Sequence, residues 1–225
     1  MIRFLSYVKI IFVFGVIIIS GASYSSASFF DNETSQGNLF TAASWPVEPE
    51  SARVVVNELM WMGSVGHTAD EWIELRNMTS TSVDLSGWTL SKNTGVETIM
   101  LTLPAGASIP AGGYYLVSNY SNENASSSLN VAPNYFTASV DLSNSALQIK
   151  LYNGIIEPAN LIDTAGNGGT PLAGINSTSK KSMSRNPIPN DGTQASNWFT
   201  DVSSNGTIYW DVEDNNYGTP GGSNV

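Results

Sequence analysis

The stretch Asn57–Leu90, NELMWMGSVGHTADEWIELRNMTSTSVDLSGWTL, contains the pattern that decides the fold. Its first residues continue the segment Arg53–Met60, which is rich in Val and Leu and predicts a strand. Glu71–Asn77 alternates apolar and polar side chains, which predicts a second strand. Asp84–Gly87 has Asp at the first and Gly at the fourth position of a type I turn, and Trp88 begins the next strand. The stretch therefore predicts two strands, a tight turn and the start of a third strand.

Short strand signals continue along the rest of the chain. They are Thr98–Leu103, Tyr114–Ser118, Ala146–Tyr152, Ile155–Asp163, Lys181–Arg185 and Trp198–Val202. In the first of these, alternation puts Ile99 on the same face as Leu101. The pair Asn153-Gly154 predicts a hairpin turn, and Pro158 makes the returning strand an edge strand. After the N-terminal apolar segment, the hydrophobic residues do not recur with the 3.6-residue period of a helix. The predicted fold class is therefore an all-β sandwich.

The composition excludes several classes of protein. The chain has 225 residues, of which 41% are hydrophobic and only 12% charged, so a sizeable core forms while Ser, Thr, Asn and Gly provide solubility. A net charge of -10 repels a phosphate backbone, so no nucleic-acid partner is expected; only Lys180, Lys181 and Arg185 hint at a basic patch. The chain has no cysteine, which excludes disulfides, thiolate nucleophiles and Cys-ligated zinc.

Residues 1–27 have the organisation of a signal peptide. Arg3 and Lys9 precede an apolar run from Ile10 to Ile19, and small residues lead to an expected cleavage after Ala27. The apolar run is short for a membrane span, which needs about 20 residues. An uncleaved anchor stays open as an alternative, and it is the only membrane attachment expected. The chain is therefore predicted to be secreted or held at the cell surface.

The segment after the expected cleavage point supports export. Residues 28–43 resemble the start of mature biofilm-fibre and camelysin-type bacterial proteins, with an aromatic, then Asp, Glu-Thr, Gly-Asn and Phe-Thr-Ala. Two prolines follow, so residues 28–52 are interpreted as an exported segment and linker, and residues 53–222 as the folded domain.

Eight blocks in order along the chain resemble the lamin tail domain family. They are Val56–Leu59, Asp70–Asn77, Val83–Leu90, Ile109–Gly112, Leu142–Asn144, Ser182–Arg185, Asn197–Trp198 and Gly218–Gly221. The signature positions are Asn57, Glu58, Glu71, Trp72, Glu74, Asn77, Asp84, Gly87, Trp88, Pro110, Gly112, Trp198, Gly218 and Pro220. The resemblance implies an immunoglobulin-like β-sandwich that acts in protein interaction without enzymatic activity. The chromatin contacts of nuclear lamins are not implied, because this chain is acidic and carries an export signal.

Four carboxylates near the ends of the first two strands are candidates for acid–base chemistry: Glu58, Asp70, Glu71 and Glu74. A carboxylate pair at the right separation hydrolyses glycosidic bonds, which keeps a hydrolase open as an alternative. We favour a structural role, in which they accept hydrogen bonds from backbone N–H groups and face Arg76 or Arg53. The single histidine, His67, is interpreted as an ordinary loop residue because no oriented partner is visible.

Tryptophans provide a further alternative, a platform on which sugars stack. The candidates are Trp61, Trp72, Trp88, Trp198 and Trp210. Strand parity puts Trp72, Glu74 and Arg76 on the face opposite Ile73, which makes them a candidate binding face. We favour the interpretation that Trp72 is covered by a terminal segment or packs across a sheet, since a buried tryptophan contributes a large apolar area.

Metal binding and function complete the sequence-based expectations. Asp211–Gly218 clusters acids and amides without the spacing of an EF-hand, so no cofactor is expected and Ca²⁺ stays an open alternative. The function we favour is an exported binding or assembly module whose partner is a surface protein or an envelope polysaccharide. A carbohydrate-binding module and a hydrolase or hydrolase accessory domain are the two alternatives.

Overall fold

The computed structural model describes residues 54–202 and 215–224. The predictions for residues 1–53, including the signal peptide and linker, lie outside the described residues, as do Trp210 and most of the acidic run from Asp211. The strands in the described part are β1 (Val54–Met60), β2 (Trp72–Asn77), β3 (Val83–Asp84), β4 (Thr89–Asn93), β5 (Glu97–Thr102), β6 (Ser108–Ile109), β7 (Tyr114–Ser118), β8 (Tyr135–Phe136), β9 (Ile149–Tyr152), β10 (Leu161–Ala165), β11 (Ile175–Asn176), β12 (Lys180–Lys181), β13 (Met183–Arg185), β14 (Trp198–Thr200) and β15 (Asn216–Tyr217).

Two principal sheets form the domain. One has six strands in the order β14-β13-β1-β2-β7-β8, and the other has four in the order β10-β9-β4-β5. Smaller sheets join β11, β12 and β15, and pair β3 with β6. All strand pairs are antiparallel except β7–β8 and β12–β15. The predicted all-β sandwich is confirmed.

The core lies between the principal sheets and follows the predicted alternation. Ile73 and Leu75 of β2 are fully buried, and Leu147, Ile149 and Leu151 are at most 1% exposed. Each strand thus turns its apolar face inward, where removal of apolar surface from water stabilises the fold. The described helical segments are the 3₁₀ turns Pro158–Asn160 and Ala195–Asn197, and none is long or apolar enough to cross a membrane.

Bulges shift the alternation at three strands and correct one prediction. The register places one extra residue on the longer side of each pairing: Asn57 in β1, Met100 in β5 and Ile162 in β10. Because Met100 is extra, Ile99 and Leu101 lie on opposite faces: Ile99 is 59% exposed and Leu101 only 6%. The prediction that these two share a face is therefore wrong.

Two turns also differ from the sequence-based prediction. The strand returning after Asn153-Gly154 starts at Leu161, because Pro158 begins a 3₁₀ turn that lengthens the connection; β10 is an edge strand as predicted. The turn near Asp84 is displaced by one residue. Trp88 N donates to Leu85 O at 3.0 Å, so Gly87, with φ 75°, occupies the third turn position, where positive φ favours glycine.

Candidate functional site

The outer face of the β1–β2 pair carries the residues that the sequence offered as a binding face. The register sets Met60 opposite Trp72 and Glu58 opposite Glu74. The bulge at Asn57 produces this arrangement, because without it Glu58 would share the inward face of Val56. All four of these paired side chains are fully buried. A face of the sheet that carries two carboxylates is thus closed to solvent.

The C-terminal strap, Asn216–Asn224, closes this face. A Cβ added at Gly218 would lie 3.0 Å from Trp72 Cζ2 and 3.0 Å from Glu58 Oε1, so the strap backbone lies directly over these two side chains. The interpretation that a terminal segment covers Trp72 is confirmed. The alternative, a binding face that includes Trp72 and Glu74, does not hold for these two residues because both are fully buried; strand parity does not report what lies above the sheet.

Glu58 binds the strap through its carboxyl oxygens. Thr219 N donates to Oε1 at 3.0 Å and Thr219 Oγ1 donates to Oε2 at 2.8 Å, while the hydroxyl of Ser182 donates to Oε1. Burial and then the charge of Asp201 raise the pKa of Glu58 to about 7. The carboxyl therefore holds a strap residue in place. Near physiological pH it is protonated, and so neutral, in part of the molecules.

Glu74 binds the next part of the strap and an amide pair. Gly221 N donates to Glu74 Oε2 at 2.5 Å, and Asn57 Nδ2 donates to Glu74 Oε1 at 2.7 Å. Asn57 also donates to Asn224 Oδ1 at 2.9 Å, and Asn224 returns a bond to Asn57 O at 3.0 Å. Burial, and after it the charge of Glu58, raise the pKa of Glu74 well above its usual value.

Asp70 and Glu71 hold a second part of the chain. Asp70 accepts from Ser128 N at 2.7 Å and Glu71 accepts from Leu142 N at 2.8 Å. Burial raises the pKa of both carboxyls, that of Glu71 to about 8. The favoured role of these acids, accepting backbone N–H groups, is confirmed for all four. Arg76 is not their partner: its Nη1 donates to Pro187 O at 3.2 Å and its guanidinium carbon lies 5.9 Å from the centre of the Tyr114 ring. The other candidate, Arg53, lies outside the described residues.

Asn77 organises the loops that follow β2. Its Nδ2 donates to Thr81 O at 2.7 Å and Pro110 O at 3.0 Å, and its Oδ1 accepts from Thr79 N at 2.9 Å. Next to it, Gly113 N donates to Pro110 O at 2.9 Å, closing a turn in which Gly112 has φ 62°. These signature positions therefore set the connection between the sheets.

A buried ion pair near β13 escaped the sequence analysis. Arg185 is 1% exposed and its Nη1 lies 3.2 Å from Asp163 Oδ2, while its guanidinium carbon lies 4.8 Å from the centre of the Trp198 ring. Asp163 also accepts from Val56 N at 2.9 Å, at the β1 bulge. The hint of a basic patch at Lys180, Lys181 and Arg185 is wrong for Arg185, which ties the two sheets together. No local signal marks this pair, because the two residues come from separate strands.

The described tryptophans do not form an exposed platform. Trp61 and Trp88 are 7% exposed, Trp198 is 6% exposed, and Trp72 is fully buried. Trp61 Nε1 donates to Ala173 O at 2.9 Å and Trp198 Nε1 donates to Gly192 O at 2.8 Å. The rings of all four pack in the domain, and the N–H groups of Trp61 and Trp198 bind its backbone, as is usual for buried tryptophan.

The remaining candidates lie apart from this cluster. His67 Nδ1 accepts from Ala69 N at 3.2 Å and its ring meets the Tyr120 ring edge-on at 5.3 Å, as an ordinary loop residue does. Within residues 54–202 and 215–224, no group of three or more His, Cys, Asp or Glu side chains is placed to hold a metal ion. An open surface cavity of about 320 Å³ lies at Pro104–Ser108, Tyr115 and Asn134, away from the four carboxylates.

The arrangement accounts for the chemistry of the signature residues. The buried acids accept hydrogen bonds that join β1 and β2 to segments distant in sequence. Their carboxyl oxygens are therefore already occupied by groups of the fold itself. Sequence reasoning missed Thr219 and Asn224, the strap residues that complete the cluster, although the neighbouring Gly218–Gly221 block was a marker of that region.

Comparison with known proteins identifies a family for this chain. The family model described as Lamin Tail Domain matches residues 48–169, more than half of the chain. A search among curated proteins found no match. The matched range ends after β10, while β13, β14 and the C-terminal strap follow it in sequence and complete the six-stranded sheet and its cover.

Proposed function

Because the chain belongs to the lamin tail domain family, we propose that it is a bacterial exported binding or structural module of the cell surface, without enzymatic activity. The family is immunoglobulin-like and generally non-catalytic. Export is supported by the charged and apolar pattern of residues 1–27 and by the small residues that end at Ala27.

One observation carries the proposal: the side chains suited to chemistry are already bound within the fold. Glu58 binds Thr219 N, Glu74 binds Gly221 N, and Glu71 binds Leu142 N, and all three glutamates are at most 7% exposed. An acid–base residue must reach the proton that it transfers in a bound substrate. Buried carboxylates whose oxygens already accept backbone hydrogen bonds do not meet that requirement, which disfavours the hydrolase alternative.

The carbohydrate alternative loses the feature that motivated it. It requires aromatic faces open to a sugar, and the tryptophans of the described residues are at least 93% buried. A protein partner is compatible with such a sandwich, since an extended segment can add to the edge of a sheet. Binding of the purified chain to an envelope glycan on an array would favour the carbohydrate alternative over the proposal.

Chemical cross-linking on intact producing cells tests the proposal. We expect the chain to be recovered in the envelope fraction, cross-linked to a surface macromolecule that mass spectrometry identifies. Mass spectrometry of the mature N-terminus should find it at Ser28, immediately after Ala27. Recovery of the chain free in the medium, with no cross-linked partner, would contradict the surface role, and hydrolysis of envelope material by the purified chain would contradict the non-enzymatic role.

A further inference from the structure

The strap is held to the sheet mainly by hydrogen bonds to two carboxyl groups. Residues 218–223 read Gly-Thr-Pro-Gly-Gly-Ser, so a proline is the one large apolar side chain of this run. The backbone N–H groups of Thr219 and Gly221 donate to Glu58 and Glu74. The core between the two principal sheets lies on the other face of the same strands. Release of the strap therefore breaks the bonds to the glutamates and leaves that core in place.

Glu58 and Glu74 form a buried acidic pair beneath the strap. The β1–β2 register sets them directly opposite each other, and both are fully buried. Asp201, which follows β14 and is also fully buried, adds a third carboxyl whose charge acts on Glu58. Neither glutamate takes part in an ion pair within residues 54–202 and 215–224. Negative charge in this pair is therefore compensated by N–H and O–H donors and not by a cation.

The other groups around the pair are uncharged or bound elsewhere. The uncharged ones are Asn57 of β1, Leu116 of β7, Ser182 and Ser184 of β13, and Thr219 and Asn224 of the strap. The cations of the adjoining strands contact other partners. Lys180 binds Asn176, Lys181 Nζ lies 4.8 Å from the centre of the Tyr217 ring, and Arg185 pairs with Asp163.

A chain of buried hydroxyl groups connects Glu58 to Asp201. Ser182 Oγ lies 2.5 Å from Glu58 Oε1 and 3.3 Å from Ser184 Oγ, which in turn lies 3.4 Å from Asp201 Oδ2. A hydroxyl donates one hydrogen and also accepts. Ser182 therefore donates to an ionised Glu58 and accepts from a protonated one by turning its O–H group. The closed site accommodates both forms of Glu58 without a shift of the strands.

We propose that the strap is a proton-controlled cover, which stays on the sheet while the Glu58–Glu74 pair holds a proton and leaves it when both carboxyls are ionised. One negative charge in the pair is stabilised by the N–H groups that point at it. A second charge in the same buried site is opposed by lost hydration and by repulsion from the first. Release of the strap opens both carboxylates to water, which removes these two costs and uncovers Trp72.

The direction of the pH dependence follows from burial. Burial raises the pKa of Glu58 to about 7 and raises that of Glu74 well above its usual value. Beneath a released strap the carboxyls meet water, where a glutamate has a pKa near 4.5. The closed state therefore holds more protons than the open state. Closure is strongest below pH 4.5 and weakens as the pH rises past the pKa values of the closed state.

Amide hydrogen exchange of the full chain, followed by NMR, tests the cover. Between pH 6 and pH 9 we expect the protection of the Thr219 and Gly221 amides to fall by at least about tenfold, after correction for the intrinsic exchange rate. At each pH these amides should also be at least about tenfold less protected than those of Ile73 and Val117, which pair in β2 and β7. Strap protection that is independent of pH, or equal to that of the sheet, would overturn the inference.

Glu58→Gln leaves one ionisable carboxyl in the pair. At pH 9 we expect its strap amides to be at least about tenfold better protected than those of the unchanged chain. The matched control is Glu157→Gln, because Glu157 is exposed and its side chain makes no capping hydrogen bond. This control should exchange as the unchanged chain does. Equal strap protection in the two variants at pH 9 would contradict a role for the pair.

A second measurement needs no variant. The carbon-13 shifts of the Glu58 and Glu74 carboxyls report their ionisation in the full chain, and we expect strap protection to fall over the same pH range. Ionisation of both carboxyls beneath a strap that stays protected would overturn the inference. The cover is a property of the isolated chain, so a missing surface partner would contradict only the proposed function, and a strap that stays closed would contradict only this inference.

Discussion

Glu58 and Glu74 lie directly opposite each other on β1 and β2, both fully buried, and each accepts a backbone N–H of the C-terminal strap. The ion pairs of the described residues join Lys92 to Asp141, Lys150 to Glu97 and Arg185 to Asp163, and include neither glutamate. Two carboxylates so close together without a cation tend to keep their protons. The protonation of the groups that hold the strap, and with it the stability of the fold, therefore depends on pH.

We expect the free energy of unfolding to fall as the pH rises from about 5 to about 8. Burial raises the pKa of Glu58 to about 7 and that of Glu71 to about 8, and raises that of Glu74 as well. In this window the folded state binds more protons than the unfolded state, whose glutamates ionise near 4.5. The stabilising contribution is complete below that value and is lost as the pH passes the folded pKa values. Chemical denaturation at a series of pH values measures the effect, and maximal stability at pH 8 or above would contradict it.

Glu58→Gln should raise stability at pH 8 by about 1–3 kcal/mol and flatten the pH dependence, because it removes a buried charge and keeps an acceptor oxygen for Thr219 N. Denaturant midpoints at pH 5 and pH 8 provide the comparison. The matched control is Glu123→Gln, since Glu123 is an exposed glutamate. An unchanged pH profile in Glu58→Gln would show that this carboxyl does not set it.

Gly218→Ala should destabilise the domain by about 1–3 kcal/mol, because the added Cβ would lie 3.0 Å from both Trp72 Cζ2 and Glu58 Oε1 and must displace the strap. Thermal unfolding gives the loss, and tryptophan fluorescence reports the ring beneath the strap. Gly66→Ala is the control, because the nearest atom to a Cβ there is 3.8 Å away. Equal stability of the two variants would contradict close packing at Gly218.

Asp163→Asn should cost about 3–5 kcal/mol, since it leaves the guanidinium of Arg185 buried without its counter-charge. Asp141→Asn removes an exposed partner of Lys92, a carboxylate side chain that is 71% accessible, and should cost at most about 1 kcal/mol. Urea denaturation of both variants measures the contrast. Similar losses at the two positions would mean that the buried pair is not a tie between the sheets.

The sequence was informative wherever one strand face met the core. The predicted strand Ala146–Tyr152 has its alternate residues Leu147, Ile149 and Leu151 buried, because a period of two is sufficient to identify a half-buried strand. For Trp72 and Glu74 it left a binding face open beside the favoured covered position, since parity tells which residues share a face but not what covers it.

Bulges explain most of the remaining errors. One extra residue reverses the phase of a strand, so alternation assigns Ile99 to the face of Leu101 and does not identify Glu58 as the partner of Glu74. The buried pair of Arg185 and Asp163 was unpredictable for a related reason. Its partners come from β13 and β10, and no local pattern specifies contacts between separate strands.

The strap couples residues 216–224 to β1 across most of the described domain. Thr219 reaches Glu58 across 161 positions, and Asn224 reaches Asn57 across 167. Contacts so distant in sequence form late and slow folding. During synthesis or transport in extended form, β1 and β2 therefore have unbound carboxylates until residues 216–224 follow them. A chain that stops before Asn216 would lose the cover of both glutamates, so closure of this sheet face reports whether the strap is present.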